Sequence, residues 1–198
     1  MNQQIKTSQR VPERVPERVL NLPNFLTILR ILAIPIFVTT IIYHEFMAAM
    51  IVFIAAAITD ALDGLIARMT KQQTDLGRFL DPLADKILLT TSFVLFAFYG
   101  WIPIWLAIIV ITRDVIVVVG WFVIYLLRDI TLTNPSFLGK SAIALQLIFI
   151  AYVIIQINFK AMYPALLPDS IMLILVTACF TVLSGLHYIY KGFVYTNG

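Results

Sequence analysis

Five aspartates lie close together in the sequence, between Thr59 and Lys86, and their spacing indicates a shared site. Asp60 and Asp63 are three residues apart, so on a helix they lie on one face. That face continues through three following residues, Gly64, Ala67 and Arg68. Two of these three are small, which leaves room for a ligand in front of the carboxylates.

A second stripe of the same kind follows. Gly77, Asp81 and Asp85 are spaced four apart, which again places them on one helix face. The connection between the two helices is short, so we expect the helices to be neighbours and the two stripes to face each other. Four converging carboxylates repel strongly unless protons or cations offset their charge.

Two kinds of chemistry could offset that charge. Protonation suits a proton relay, whereas divalent cations suit an enzyme that handles phosphates. All-oxygen ligation without clustered Cys or His favours Mg²⁺, Mn²⁺ or Ca²⁺ over zinc. Four basic residues could meet the phosphates of a substrate: Arg68, Lys86, Arg113 and Lys140.

Structural salt bridges are the alternative for these acids. Arg68, Arg78 and Lys86 are near enough in sequence to pair with them, as charged residues at helix ends often do. Two matched stripes with glycines alongside favour the ligand site over four separate salt bridges.

The composition indicates that lipid surrounds the elements that carry these residues. The chain has 198 residues, room for one domain, and is 61% hydrophobic and 13% charged. Soluble proteins are roughly 45–50% apolar and about 25% charged. Six apolar segments have the length of about 20 residues that crosses a bilayer as a helix: 24–43, 46–68, 79–99, 103–127, 138–158 and 170–190. We therefore predict an all-α integral membrane protein with six transmembrane helices.

The distribution of charge predicts the orientation. Lys and Arg are concentrated in the N-terminal segment, in the second and fourth loops and at the C-terminus, while the other loops hold few. The positive-inside rule then places both termini and the Asp-rich loop in the cytoplasm. Residues 1–22 form a short basic juxtamembrane segment without the apolar core of a signal peptide; it either lies along the anionic membrane surface or is solvated. Residues 23–198 form the membrane domain.

Eight residues at fixed gaps resemble the complete signature of the CDP-alcohol phosphotransferase (CDP-alcohol phosphatidyltransferase) family: Asp60, Asp63, Gly64, Ala67, Arg68, Gly77, Asp81 and Asp85. The segments "NLPNFLTILRI", "DPLADKILL" and "SGLHYIYKG" extend the resemblance over nearly the whole chain. It implies a six-helix membrane bundle, commonly homodimeric, whose polar cavity opens to the cytoplasm. A bacterial inner membrane is the expected location.

The resemblance also implies a reaction. Members move a phosphate-bearing group from a CDP-linked lipid such as CDP-diacylglycerol onto a hydroxyl and release CMP. Carried onto this chain, Asp60, Asp63 and Asp81 are the principal ligands of two divalent cations, Mg²⁺ or Mn²⁺. Asp85 borders the metal site and is the general base. The nucleotide pocket includes Asp63, Gly64, Ala67, Arg68 and Gly77.

Polar residues elsewhere fit the same cavity. Asn24, Thr27 and Arg30 recur every three residues on the first span; we assign Asn24 and Thr27 to the nucleotide and Arg30 to the acceptor or its phosphate.

Two cations further along the chain are expected near the acceptor. Arg113 lies about ten residues into the fourth span, too deep to reach water by snorkelling, so it lines the cavity or pairs with Asp114 or another carboxylate. Lys140 stands where the fifth span begins, at a place where related enzymes have a basic residue near the acceptor.

Two branches of the family are similar to this chain. The ending "TVLSGLHYIYKG" and the segment "LGKS" resemble phosphatidylglycerophosphate synthases, whose acceptor is glycerol 3-phosphate. Those synthases have Arg-Glu in the fourth span and a second Arg two turns later, where this chain has Arg113-Asp114 and Trp121. "ITRDV" is closer to the cardiolipin synthases, whose acceptor is phosphatidylglycerol. We favour glycerol 3-phosphate because that activity is more widespread.

Other classes of protein fit the sequence less well. An ion- or proton-coupled transporter would place its charges near the bilayer midplane, often in repeated, interrupted helices, but the Asp cluster lies near one surface and no internal repeat is visible. A scaffold protein would not need four Asp residues beside glycines. The net charge of +3 is small, and no nucleic-acid partner is expected. Four aromatic residues are expected at the membrane interface: His44, His187, Trp101 and Trp105.

Overall fold

The computed structural model describes the backbone of residues 22–70, 75–128, 136–160, 162–163 and 171–197, and the side chains of 28–60, 86–120, 136–160, 162–163 and 171–193. These residues form six α-helices: α1 Leu22–Ile42, α2 Phe46–Thr70, α3 Asp75–Phe98, α4 Ile104–Arg128, α5 Phe137–Phe159 and α6 Ile171–Asn197. The six predicted apolar segments therefore correspond one to one with the helices.

Helix α1 lies between α2 and α3 in the described part of the bundle. The fully buried ring of Phe37 packs 6.0 Å from the ring of Phe53 on α2 and 6.5 Å from that of Phe96 on α3. Between the described residues of α2 and α3 we find no direct packing. Apart from Asp60, the residues of the acidic stripes lie outside the range in which side chains are described, so the expected facing of the two stripes stays a prediction.

The second half of the chain packs through α6, which contacts both α4 and α5. Phe149 of α5 stacks on Phe93 of α3, with ring centroids 5.9 Å apart. Near the C-terminal end of α5, the side-chain amide of Asn158 donates to the backbone oxygen of Phe46, 3.2 Å away. These contacts join the two halves into one bundle.

An aromatic cluster closes one end of the bundle. The turn after α1 brings His44 within 5.6 Å of Phe46 and 5.8 Å of Tyr99. Trp101, in the turn after α3, stacks on Tyr99 at 5.0 Å and lies edge-on to Phe46 at 5.3 Å. His44 and Trp101 thus tie two turns together, at a place where amphipathic rings favour a membrane interface.

The outer surface of the bundle is apolar. Large hydrophobic side chains on all six helices are exposed, among them Leu32, Ile51, Phe98, Ile108, Ile148 and Leu186. If this surface faced water, it would cause the protein to aggregate. Among the described residues, Phe137–Phe159 and Ile171–Phe193 are long and apolar enough to cross a membrane, while the described apolar parts of α1, α2 and α3 are shorter. The described part of the chain is all-helical, and its orientation in a membrane stays a prediction.

Candidate active site

The described ion pairs lie toward the middle of the helices, well away from the aromatic cluster. Asp60 is 14 residues along α2 from Phe46, a distance of about 21 Å at 1.5 Å per residue. Lys86 is 12 residues before the end of α3 at Phe98, or about 18 Å. The ion pairs are therefore separated from the aromatic cluster by about half the length of α2 and α3.

Arg30 and Asp60 form an ion pair between α1 and α2. The guanidinium Nη2 lies 3.0 Å from the Asp60 carboxylate; the arginine side chain is buried and that of Asp60 is 47% exposed. The carboxylate is thus held by Arg30 and still accessible to a further ligand. Arg30, which the sequence assigns to the acceptor or its phosphate, stands beside an expected metal ligand.

Asp60 is the one member of the acidic signature whose side chain is described, and it suits a divalent cation. It presents hard carboxylate oxygen, which Mg²⁺ and Mn²⁺ prefer. Among the side chains described, no three His, Cys, Asp or Glu residues cluster elsewhere as a competing metal site. Lys86, considered above as a partner for the acids, lies 3.9 Å from Asp114 of α4.

Arg113 is the centre of a second polar cluster. Its side chain is 4% exposed, and Nη1 donates to Asp114 at 2.8 Å. Nε and Nη2 donate to the hydroxyl of Ser184 on α6, at 3.2 and 2.9 Å. The guanidinium carbon also lies 5.6 Å from the ring centroid of Tyr188. The pairing with Asp114, one of the two expectations for Arg113, is present.

The start of α5 adjoins this cluster. Ser136 caps the helix by accepting the Gly139 N–H at 3.1 Å, and its own N–H donates to the Tyr188 hydroxyl at 3.3 Å. Gly139 is buried against Tyr188, and a Cβ at this position would lie 2.7 Å from the Tyr188 hydroxyl oxygen. Lys140, the expected acceptor residue, follows directly and is exposed.

The sequence did not assign roles to Ser184 and Tyr188, although both lie in the quoted ending of the chain. They are four residues apart, hence on one face of α6, and both are polar within an apolar helix. That pattern is the signal that could have identified them. Their partner Arg113 is 71 residues from Ser184 along the chain, which no local spacing reveals.

The remaining predicted site residues lie in defined helices, but their side chains are outside the described ranges: Asn24, Thr27, Asp63, Gly64, Ala67, Arg68, Gly77, Asp81 and Asp85. Their assignments to the nucleotide, the metals and the base stay predictions.

Known proteins of two kinds are similar in sequence to this chain. Relatives include a probable phosphatidylglycerophosphate synthase of Mycobacterium tuberculosis (strain CDC 1551 / Oshkosh), 36% identical over 103 residues, which are 49% of this chain and 49% of the relative. Human cardiolipin synthase (CMP-forming) is 39% identical over 125 residues, 63% of this chain and 40% of the relative. For the first of these relatives, the match spans about half of its length.

A third relative matches almost from end to end. It is the CDP-diacylglycerol--glycerol-3-phosphate 3-phosphatidyltransferase of Bacillus subtilis (strain 168), 30% identical over 189 residues, 87% of this chain and 95% of the relative. The family model of CDP-alcohol phosphatidyltransferases matches residues 20–189, which include both acidic stripes, Arg30 and the Arg113 cluster. The chain therefore belongs to the CDP-alcohol phosphatidyltransferase family.

Proposed function

We propose that the protein transfers the phosphatidyl group of CDP-diacylglycerol to glycerol 3-phosphate, forming phosphatidylglycerophosphate and CMP. The observation that carries the proposal is the family match over residues 20–189, which contains the complete acidic signature. The name of the Bacillus subtilis relative, which matches most of the chain, supports the choice of donor and acceptor.

The acidic stripes would hold the donor's diphosphate. Divalent cations, which the family generally uses, would offset the diphosphate charge and stabilise the leaving CMP. Asp60, Asp63, Asp81 and Asp85 would be their ligands, with Mg²⁺ or Mn²⁺ as the suitable ions. The nucleotide pocket would be lined by residues of both stripes and of α1: Asn24, Thr27, Asp63, Gly64, Ala67, Arg68 and Gly77.

Asp85 would be the general base. The acceptor hydroxyl is a weak nucleophile until a base removes its proton. As that proton passes to the Asp85 carboxylate, the hydroxyl oxygen forms a bond to the lipid-bearing phosphorus and the bond from phosphorus to the CMP oxygen breaks. Asp85→Asn should then abolish turnover while nucleotide binding is retained, and normal turnover in that variant would refute the assignment.

Three cations would serve the acceptor: Arg30, Arg113 and Lys140. A small dianion such as glycerol 3-phosphate is normally held by several charge-assisted hydrogen bonds. Because Asp114 offsets part of the charge of Arg113, a singly charged phosphodiester is the second candidate. Phosphatidylglycerol carries such a group, and the human relative is named a cardiolipin synthase.

The placement in the cell follows from the charge pattern and from the family. We infer a multi-pass protein of a bacterial inner membrane, with both termini and the active site on the cytoplasmic side. A homodimer is the expected assembly.

The test is an assay of CMP release by the full chain in lipid nanodiscs with CDP-diacylglycerol and Mg²⁺ or Mn²⁺. Glycerol 3-phosphate and phosphatidylglycerol are offered in parallel. We expect CMP and phosphatidylglycerophosphate with the former. A lipid product from phosphatidylglycerol only would show that phosphatidylglycerol is the acceptor. Absence of CMP release with either compound would refute the transferase function.

A further inference from the structure

We propose that Ser184 and Tyr188 of α6 are positioning residues that hold the Arg113 guanidinium in the orientation that receives the acceptor's phosphate. The proposal rests on the proposed function in its assignment of Arg113 to the acceptor. Neither α6 residue is itself expected to touch the reacting atoms.

Ser184 fixes the rotation of the guanidinium. Its hydroxyl is fully buried and accepts from both Nε and Nη2 of Arg113. Two bonds to one oxygen define the plane of the group, and hydrogen bonds from a charged donor are roughly twice as strong as neutral ones. Without that oxygen, a buried cation loses a partner that water cannot easily replace.

Tyr188 supports the guanidinium through its ring. A cation within about 6 Å of an aromatic centroid is attracted to the ring, and here the distance is 5.6 Å. The ring is itself located by α5, through the Ser136 N–H and through close contact with Gly139. This chain of contacts couples the start of α5, where Lys140 stands, to the position of Arg113.

Part of the hydrogen-bonding capacity of Arg113 is left over. Arginine has five N–H donors; those seen to bond are one on Nη1, to Asp114, and one each on Nε and Nη2, to Ser184. Among the described residues, the other two N–H groups have no acceptor. A phosphate supplies acceptors with the charge and geometry that a guanidinium fork prefers.

The experiment compares Ser184→Ala, Ser184→Thr and Thr181→Val with the unaltered chain. Thr181 is a matched control because it is buried on the same helix and bonds across to Gln146 of α5, without contacting Arg113 by a hydrogen bond. Ser184→Ala should raise the KM for the acceptor about tenfold, the value of one hydrogen bond to a charged group, and leave the KM for CDP-diacylglycerol unchanged. Ser184→Thr should restore most of the loss, and Thr181→Val should leave both KM values unchanged.

A double-mutant cycle tests whether Ser184 acts through Arg113. If it does, Ser184→Ala should add little to the acceptor KM once Arg113→Lys is present, because contacting residues are not additive. The proposal would be overturned if the effects of Ser184→Ala and Arg113→Lys on the acceptor KM were fully additive. It would also be overturned if Ser184→Ala changed the KM values for the acceptor and for CDP-diacylglycerol equally.

Gly139→Ala tests the α5 contact. The added methyl group meets the Tyr188 hydroxyl, so the acceptor KM should rise, and a second change, Tyr188→Phe, should relieve part of the effect by removing that oxygen. If Gly139→Ala folds and leaves the acceptor KM unchanged, the contact of α5 with Tyr188 does not help to position Arg113.

A binding measurement keeps the proposal separate from the proposed function. Glycerol 3-phosphate, or phosphatidylglycerol in the nanodisc, is tested for an increase in the thermal unfolding midpoint of the unaltered chain, Arg113→Lys and Ser184→Ala. We expect one of the two phosphates to stabilise the unaltered chain and to stabilise both variants less at the same concentration. Absence of CMP release alone would refute the transferase; stabilisation that is undiminished in Ser184→Ala, or is absent with both phosphates, would refute the positioning role.

Discussion

At the scale of single residues, charge pairing distinguishes two kinds of buried arginine. Arg30 pairs with a half-exposed carboxylate on α2, whereas Arg113 pairs with its own neighbour Asp114 and with Ser184. The first arrangement leaves the carboxylate open to another cation. The second holds the guanidinium of Arg113 between Asp114, Ser184 and the ring of Tyr188.

This distinction makes Asp60 testable. We expect Asp60→Asn to lower CMP release about 100-fold or more, the equivalent of nearly 3 kcal/mol in the barrier, because an amide is a poor ligand for Mg²⁺. Asn retains an oxygen that can accept from Arg30, so folding should change little. EDTA should abolish the activity of the unaltered chain, and Mg²⁺ or Mn²⁺ should restore it.

Glu45→Gln is the control, since it removes an exposed acid at the aromatic end of the bundle, away from Asp60. Activity of Asp60→Asn equal to that of Glu45→Gln would exclude Asp60 as a metal ligand.

At the scale of helices, α1 organises the first half of the bundle. Phe37→Ala removes a fully buried ring that touches both α2 and α3, and we expect a loss of about 3 kcal/mol in the free energy of unfolding. Leu32→Ala, on an outward-facing and exposed part of the same helix, should change it by less than about 0.5 kcal/mol. Reversible unfolding in mixed micelles measures both; similar losses would show that α1 is not central.

The sequence predicts which residues form helices better than it predicts which helices pack together. Apolar length alone identifies six helices, because a span needs about 20 residues whatever its partners. Helix ends are less certain: α2 continues to Thr70 and α6 to Asn197, past the apolar segments predicted to end at 68 and 190, because backbone hydrogen bonding does not stop where hydropathy falls.

The packing of the helices cannot be predicted from the sequence in the same way. The place of α1 between the described parts of α2 and α3, and the Arg113–Ser184 contact across 71 residues, depend on which helices meet. The acidic signature could be identified because its members lie within two adjacent helices, where helical spacing alone relates them.

At the scale of the whole molecule, polar contacts and aromatic contacts lie at different depths in the bundle. The turns around His44 and Trp101 form an aromatic contact at one end, while ion pairs join α1 to α2 and α3 to α4 toward the middle of the helices. Helix α5 has 23 residues, about 35 Å at 1.5 Å per residue, enough to cross a hydrocarbon core of about 30 Å. Its two ends should therefore face opposite aqueous compartments.

Cysteine labelling in intact cells tests that orientation. In a Cys179→Ser background, which removes the sole native thiol, Glu45→Cys and Met162→Cys should react with a membrane-impermeant maleimide from outside. Lys140→Cys and Lys191→Cys should react only after permeabilisation, because positive loops stay in the cytoplasm. The reverse pattern would place the acidic signature outside, away from any cytoplasmic nucleotide-linked lipid. Labelling of positions 140 and 162 from the same side would mean that α5 does not span the membrane, since position 140 is in its first turn and position 162 follows its last residue.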